Sequence, residues 1–323
     1  MLRASLAAIV ATLLALGSLS CSKSVIVPSA PLGLQGWITY VMPDSSAPPG
    51  GALEQQGTIW VARLDGTRAR SLGVTGMCPS WNPAGTAVAY RYYRSLGDPV
   101  PFVDAGVINP STGQRASWHV SWPMYGTRPA EWRFDGRQIA AGGSVLTPPA
   151  WAWSGASSGR ELFGPAGAST LLHPVLLQWA GDSLHFLARA PNAPTLPLTY
   201  DYYIVECDFA GCHVVTRLTS EQYADTQDPL FVLSPDGSKL LGADGSVFAF
   251  DLKAHTVPLT RINITSGPMD LLPRWGSDSR TIVFLRREGT QYFLYRTSLD
   301  SLGITRKILN QPASWGGVDI HLD

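Results

Sequence analysis

The segment Pro79-Ser80-Trp81-Asn82-Pro83-Ala84-Gly85-Thr86-Ala87-Val88-Ala89-Tyr90 constrains the fold more than any other stretch, because variants of it recur to the end of the chain. Further copies begin at Pro129 (Glu131-Trp132 to Ile139), Pro174 (through Trp179 to Phe186), Pro229 (through Ser234-Pro235-Asp236-Gly237 to Leu241) and Pro273 (Trp275 to Phe284). A shortened copy is Pro312-Ala313-Ser314-Trp315. The copies begin about 40 to 54 residues apart, a spacing at which each repeat makes one small sheet that must stack on its neighbours to bury its faces. No stretch carries a sustained 3.6-residue apolar period with caps, so the reading is all-β. The 32 glycines and 25 prolines suit a chain with many tight turns.

Each part of the repeat has a physical task. The tryptophan ends a strand and offers a broad ring to fill the wedge between adjacent sheets. Pro83 and Pro235 fall where a type I turn needs φ near about −65°, and Gly85, Gly136 and Gly237 fall where the chain must take positive φ. An apolar residue follows at the seventh position after the tryptophan, as Val88, Ile139 and Ile282 do. Two copies depart from this: the third has only Ala180-Gly181-Asp182-Ser183 before Leu184, which predicts a shorter connection, and the fourth has Leu233 for Trp. A further strand and a last short one follow each hairpin, as at 247–251 then 257–260, 203–207 then 214–219, and 292–296 then 305–309. Four strands per repeat predict a four-stranded antiparallel blade. The N-terminal strands at 37–41, 58–64 and 69–72 lack an inner tryptophan strand, and 312–315 supplies one. The expected architecture is therefore a six-bladed β-propeller over residues 35–323, its ring closed by the C-terminal strand joining the N-terminal blade. Whether residues 318–322 add a strand is left open.

Leu233-Ser234-Pro235-Asp236-Gly237-Ser238-Lys239-Leu240 and Pro79-Ser80-Trp81-Asn82-Pro83-Ala84-Gly85, each followed by an apolar strand and a closing strand, resemble the TolB-type (WD40-like, PD40) β-propeller repeat of periplasmic proteins. The resemblance covers about residues 35–323 and implies the propeller fold. TolB proteins carry an α/β domain before the propeller, where this chain has a short tether.

Residues 1–20 read as a secretory signal, with Arg3 as the basic region, 6–16 as the apolar region and Gly17-Ser18-Leu19-Ser20 as the cleavage region. The apolar run is short for a membrane span. Leu16-Gly17-Ser18-Leu19-Ser20-Cys21 resembles the lipobox of bacterial lipoproteins, which implies a diacylated Cys21 at the mature N-terminus. Ser18 stands where that family usually has Leu, so an ordinary secreted protein is the competing reading. Ser22 and Lys23, with no Asp after the cysteine, resemble lipoproteins sorted to the outer membrane, implying attachment there facing the periplasm. Residues 22–34 carry two prolines and no period, and read as the tether. Export places the remaining cysteines in an oxidising compartment. Cys207 and Cys212 bracket Asp208-Phe209-Ala210-Gly211 and are expected to form a disulfide across a hairpin; a metal site using the adjacent His213 would need further ligands. Cys78 is expected to be a small buried hydrophobe.

Twenty-four basic and 24 acidic residues balance, with no basic run, which argues against a nucleic-acid footprint. Gly155-Ala156-Ser157-Ser158-Gly159 matches a nucleophile-elbow pattern, but it lies between strands and is read as a turn. The six histidines lack metal-site spacing. No catalytic residue, metal or cofactor is expected, and the recurring Asp135, Asp182, Asp236 and Asp278 are read as turn formers. The candidate binding aromatics are Trp118, Trp122, Tyr125, Trp151 and Trp153; packing between blades is the competing role for them. The function these observations favour is a monomeric, non-enzymatic scaffold that binds another envelope protein. The alternative is glycan or small-ligand binding, or metal-dependent hydrolysis, in a central channel, and the residues lining that channel discriminate between the two.

Overall fold

Each copy of the repeat whose turn is described folds into the same hairpin. The computed structural model describes residues 36–43, 56–93, 103–118, 130–133, 136–141, 144–148, 160–161, 175–179, 185–191, 200–207, 212–221, 231–252, 261–267, 269–314 and 316–323. In the four turns, the residue after the tryptophan position donates its N–H to the carbonyl five residues on: Asn82 to Ala87, Arg133 to Gln138, Ser234 to Lys239 and Gly276 to Thr281. Its own carbonyl accepts from Gly85, Gly136, Gly237 or Ser279. Those four residues take φ of 66°, 69°, 66° and 54°, backbone that glycine enters without a Cβ clash. Side chains reinforce the loops: Asn82 Oδ1 accepts the Thr86 and Ala87 N–H groups at 2.8 and 3.0 Å, and Asp278 accepts those of Arg280 and Thr281.

Beyond the turn, Trp81 pairs with Val88, Trp132 with Ile139, Leu233 with Leu240 and Trp275 with Ile282. In the third copy Trp179 pairs with Phe186, again seven residues on. The shorter connection expected there, with Leu184 as partner, is therefore corrected. Leu184 and Phe186 share one parity along a strand, so alternation could not separate the two registers.

Among the described residues, twenty-three strands form one seven-stranded and four four-stranded antiparallel sheets, and the seven-stranded one divides at β3 (Arg70–Trp81) into two ladders, the first and second sheets. The first contains β1 (Gly36–Pro43), β2 (Gly57–Arg63) and the start of β3 (Arg70–Trp81); β3 continues into the second with β4 (Val88–Tyr93), β5 (Val103–Ile108) and β6 (Arg115–Trp118). The third holds β7 (Glu131–Trp132), β8 (Ile139–Ala141), β9 (Ser144–Leu146) and β10 (Arg160–Glu161). The fourth holds β11 (Val175–Trp179), β12 (His185–Pro191), β13 (Tyr200–Cys207) and β14 (Cys212–Glu221). The fifth holds β15 (Val232–Leu233), β16 (Lys239–Ala243), β17 (Val247–Asp251) and β18 (Arg261–Asn263); the strand expected over 257–260 lies outside the described residues. The sixth holds β19 (Asp270–Trp275), β20 (Thr281–Glu288), β21 (Gln291–Ser298) and β22 (Arg306–Lys307).

β23 (Val318–Leu322) returns to the first sheet and pairs with β1, Ile38 opposite Ile320 and Tyr40 opposite Val318. This corrects the assignment of the inner strand to 312–315. Ala313 makes only an isolated bridge to Tyr292. The alternating Val318 and Ile320 bury against Ile38 and Tyr40 instead, giving β23 the apolar face that an inner strand needs.

The first strands of successive sheets lie side by side: β3 beside β7 and β23, β11 beside β7 and β15, and β19 beside β15 and β23. The tryptophans fill the wedges as expected, and they also bond across them. Trp132 Nε1 donates to the Ser80 carbonyl at 3.0 Å, and Trp275 Nε1 to the Val232 carbonyl at 3.1 Å. Burying about 200 Å² of ring at about 25 cal/mol per Å² stabilises by about 5 kcal/mol for each. Trp81 instead packs against His321 of β23, ring centroids 6.1 Å apart, and its buried Nε1 has no hydrogen-bond partner among the described residues.

Candidate functional site

Side chains alternate along a strand, so the residue before each tryptophan points away from the wedge that the ring fills. That position is Ser80, Glu131, Gln178, Val232 and Arg274 in the five copies. Two of these side chains meet. Arg274 Nη1 of the sixth sheet donates to Glu131 Oε1 of the third at 2.9 Å, with both side chains about 15% exposed. The fourth and fifth sheets lie between them along the chain.

Asp319 of β23 joins this pair. Its Oδ2 accepts the Trp81 N–H at 2.7 Å. Part of the residue still borders open space, but protein surrounds the carboxyl so densely that burial pushes its pKa up to about 7; Arg274 and the N–H groups of Trp81 and Ile320 pull downward, while Glu131 adds repulsion.

Two irregularities shape the surroundings. The ladder between β3 and β4 shifts between Met77 and Ser80, and that between β19 and β20 shifts between Leu271 and Arg274. The extra residues Cys78 and Leu272 take φ of 50° and 49°, costing about 1 kcal/mol or more each for non-glycine residues. Both precede a proline, which disfavours the right-handed helical region and leaves fewer alternatives. The Cys78 N–H donates to the Gly316 carbonyl, and Gly317, at φ 119°, would bring a Cβ to 3.0 Å from Cys78 Cα. A cavity of about 10 Å³ lies among Cys78, Leu272, Pro273, Arg274, Gly317, Val318 and Val232. That is room for about one water. A second ionic group, buried Asp270 gripped by Arg286 at 2.6 and 2.8 Å with Thr265 donating to Oδ2, lies between the fifth and sixth sheets, where its donors and acceptors are taken up internally.

Trp118 is buried at 5% exposure against Trp132 and Ile139. This is the packing role between sheets that competed with ligand binding for it. Trp122, Tyr125, Trp151 and Trp153 lie outside the described residues, as do Cys21, Asp135, Asp182 and residues 155–159. Cys207 and Cys212 face each other in backbone register across β13 and β14. Cys78 is buried. At Asp236, burial pushes the carboxyl up but hydrogen bonds from Ser234 and Ser238 more than offset it, holding the pKa at about 2, as a turn-forming carboxylate requires. Among the described residues no group of three or more His, Cys, Asp or Glu side chains converges to hold a metal. Sequence reasoning missed Glu131, Arg274 and Asp319. The available signal was that the residue before the tryptophan differs in every copy.

No protein-family model matches this chain, and no curated protein matches it in sequence. Its fold is shared with solved structures. TolB from Acinetobacter baumannii superposes with a TM-score of 0.55 at 15% identity over 88% of this chain, which spans 66% of that one, just under two thirds of its length. A TolB-designated protein from Agrobacterium tumefaciens gives 0.51 at 11% identity, covering 87% of this chain and 90% of that one. A chain of the nidogen/laminin complex gives 0.51 at 10% identity, covering 88% and 98%. The fold is thus a TolB-like β-propeller.

Proposed function

We propose that this chain is a non-enzymatic envelope lipoprotein, held to the outer membrane through Cys21, whose six sheets form a closed six-bladed ring that presents a surface to another envelope protein. The order in which first strands adjoin, with β23 between β3 and β19, supports the ring. On that reading the Arg274–Glu131 pair crosses the channel between opposite blades.

The observation that carries the scaffold role is the state of these axial groups. Glu131 is engaged by Arg274, Asp319 by the Trp81 backbone, and the cavity among the described residues beside Arg274 has room for about one water. A channel that takes up a glycan or hydrolyses a substrate needs open volume and uncommitted polar groups. The nidogen/laminin match comes from a protein–protein complex, a use of the fold consistent with this role.

One observation favours the channel alternative: Asp319, pushed up to about 7 beside a second carboxylate, has the titration of an acid–base group. Photo-crosslinkers at Trp122, Tyr125, Trp151 and Trp153 in the acylated protein test the scaffold. Discrete crosslinked protein bands specific to one loop are expected. Uniformly absent crosslinks, together with saturable ligand binding lost in Asp319→Asn, would replace the scaffold with the channel reading.

A further inference from the structure

Charge is segregated around the sheets although the chain is neutral. Residues 182–251 hold ten acidic and three basic residues, a net of −7; the span of the sixth sheet, 270–307, holds seven basic and four acidic (+3), and that of the first two sheets, 36–118, six basic and five acidic (+1). Basic residues stand on the outer strands and turns of the sixth, first and second sheets. Arg296 and Arg306 sit opposite each other in β21 and β22, a like-charged cross-strand pair that destabilises a sheet. Burial, and then Arg306, push the Arg296 pKa down, while Asp65 pulls it back, so the β2–β3 turn lies beside the pair. Gly66 of that turn abuts the Ile308 carbonyl.

Exposed Arg68 and Arg70 follow on the same turn and strand. At the next seam Arg70 Nη2 donates to the Pro110 carbonyl at 2.8 Å and Arg115 Nη2 to the Gly73 carbonyl at 2.9 Å. Both partners are neutral, so these bonds fix the guanidiniums without cancelling their charge. Of the nearby carboxylates, Asp323 is paired with Arg63 at 2.6 Å and Glu288 with Lys307 at 2.8 Å, while exposed Asp65 accepts from the Thr67 N–H and hydroxyl and offsets part of the positive charge.

We infer that this arginine wall docks on the anionic phospholipid headgroups of the bilayer that holds Cys21. Guanidinium forks match phosphate oxygens, and basic residues near an anionic leaflet each strengthen attachment. The position of the anchor fits. Fourteen residues, 22–35, separate Cys21 from Gly36 and span at most about 50 Å when extended. The Gly36 carbonyl accepts the Leu64 N–H at 3.0 Å, so the chain enters the fold next to Arg63 and the turn leading to Arg68. The inference uses the Cys21 anchor for this geometry; the charge pattern stands without it.

The test uses the full chain carrying Cys21→Ser, so that no acyl group contributes, with phosphatidylcholine vesicles made with or without phosphatidylglycerol. Co-sedimentation is expected only with phosphatidylglycerol and is expected to fall as salt rises from about 0.05 M to about 0.5 M. Arg68→Gln/Arg70→Gln/Arg115→Gln is expected to weaken it about a hundredfold, about fivefold for each arginine, while Arg287→Gln leaves it unchanged. If the triple variant melts early, Arg68→Gln alone carries the test with its fivefold loss. Equal binding to neutral vesicles, or a variant that binds like the parent, overturns the proposal. So does a salt-sensitive dimer abolished by the same substitutions without vesicles, since the wall would then belong to a second copy. The mass of the exported wild-type chain decides the anchor separately: an unacylated Cys21 with phosphatidylglycerol binding intact removes the anchor and leaves the wall.

Discussion

Replacing Asp319 by Asn provides a quantitative test of the Arg274, Glu131 and Asp319 cluster. The native carboxyl holds its proton up to about pH 7 against an ordinary value of 3.8. Because the folded-state pKa lies above the unfolded one, the native state binds more protons between these values, so the Asp319 contribution to stability is greatest below about pH 4 and declines until pH passes about 7. At about 1.4 kcal/mol for each tenfold change in proton affinity, the gap amounts to about 4 kcal/mol at pH 8. Residual exposure of Asp319 screens part of it, and an Asn amide must find its own acceptors, so a net gain of about 2 kcal/mol at pH 8 is expected. Asn keeps an oxygen for the Trp81 N–H. Urea unfolding of the wild type and Asp319→Asn at pH 5 and pH 8 checks this: the variant should gain at pH 8 and show a flatter profile between the two. On the acid side His321, whose pKa burial pushes down, becomes protonated in the unfolded chain first, so both proteins should lose stability below about pH 6. A variant less stable than the wild type at pH 8, or a wild-type profile flat from pH 5 to 8, would refute the assignment of a strained carboxylate.

Three further perturbations follow from the same contacts. Arg274→Met leaves Glu131 and Asp319 without their cation and should cost about 3 kcal/mol, more at pH 8 than at pH 5; adding Glu131→Leu should restore most of it in denaturant melts, because an apolar pair avoids the desolvation cost. Gly85→Ala places a Cβ 2.4 Å from His321 Nε2 at a residue with φ 66°, whereas Gly237→Ala at the same φ meets nothing within 4 Å. The second should cost about 1 kcal/mol and the first clearly more, by thermal unfolding. Trp275→Phe removes a cross-sheet hydrogen bond and should cost about 1 kcal/mol more than Trp81→Phe, whose indole nitrogen has no bond to lose among the described residues.

The hairpins were legible because everything that makes them is local. Trp, the turn and the apolar strand lie within eight residues of one another, so Pro235, Gly85 and Asn82 announce the turn by their own φ preferences and side-chain bonds. Positions without a distinctive local preference were read less well: Ser279 takes the left-handed position that Gly85, Gly136 and Gly237 take in three other copies, and Phe186 and Leu184 share a parity. The burial of Trp118 was not legible, because composition does not distinguish a ring at a sheet surface from one packed between sheets.

The sequence by itself determined the all-β class, the repeat and the turn chemistry, since those depend on neighbours along the chain. Only tertiary structure decided that residues 318–322, rather than 312–315, complete the first sheet. It alone brought Glu131 to Arg274 across 143 residues and Asp319 to Trp81 across 238. Such contacts exist only once the stacked sheets gather their first strands together. A residue's electrostatic partners are then set by the sheets around it rather than by its place in the repeat.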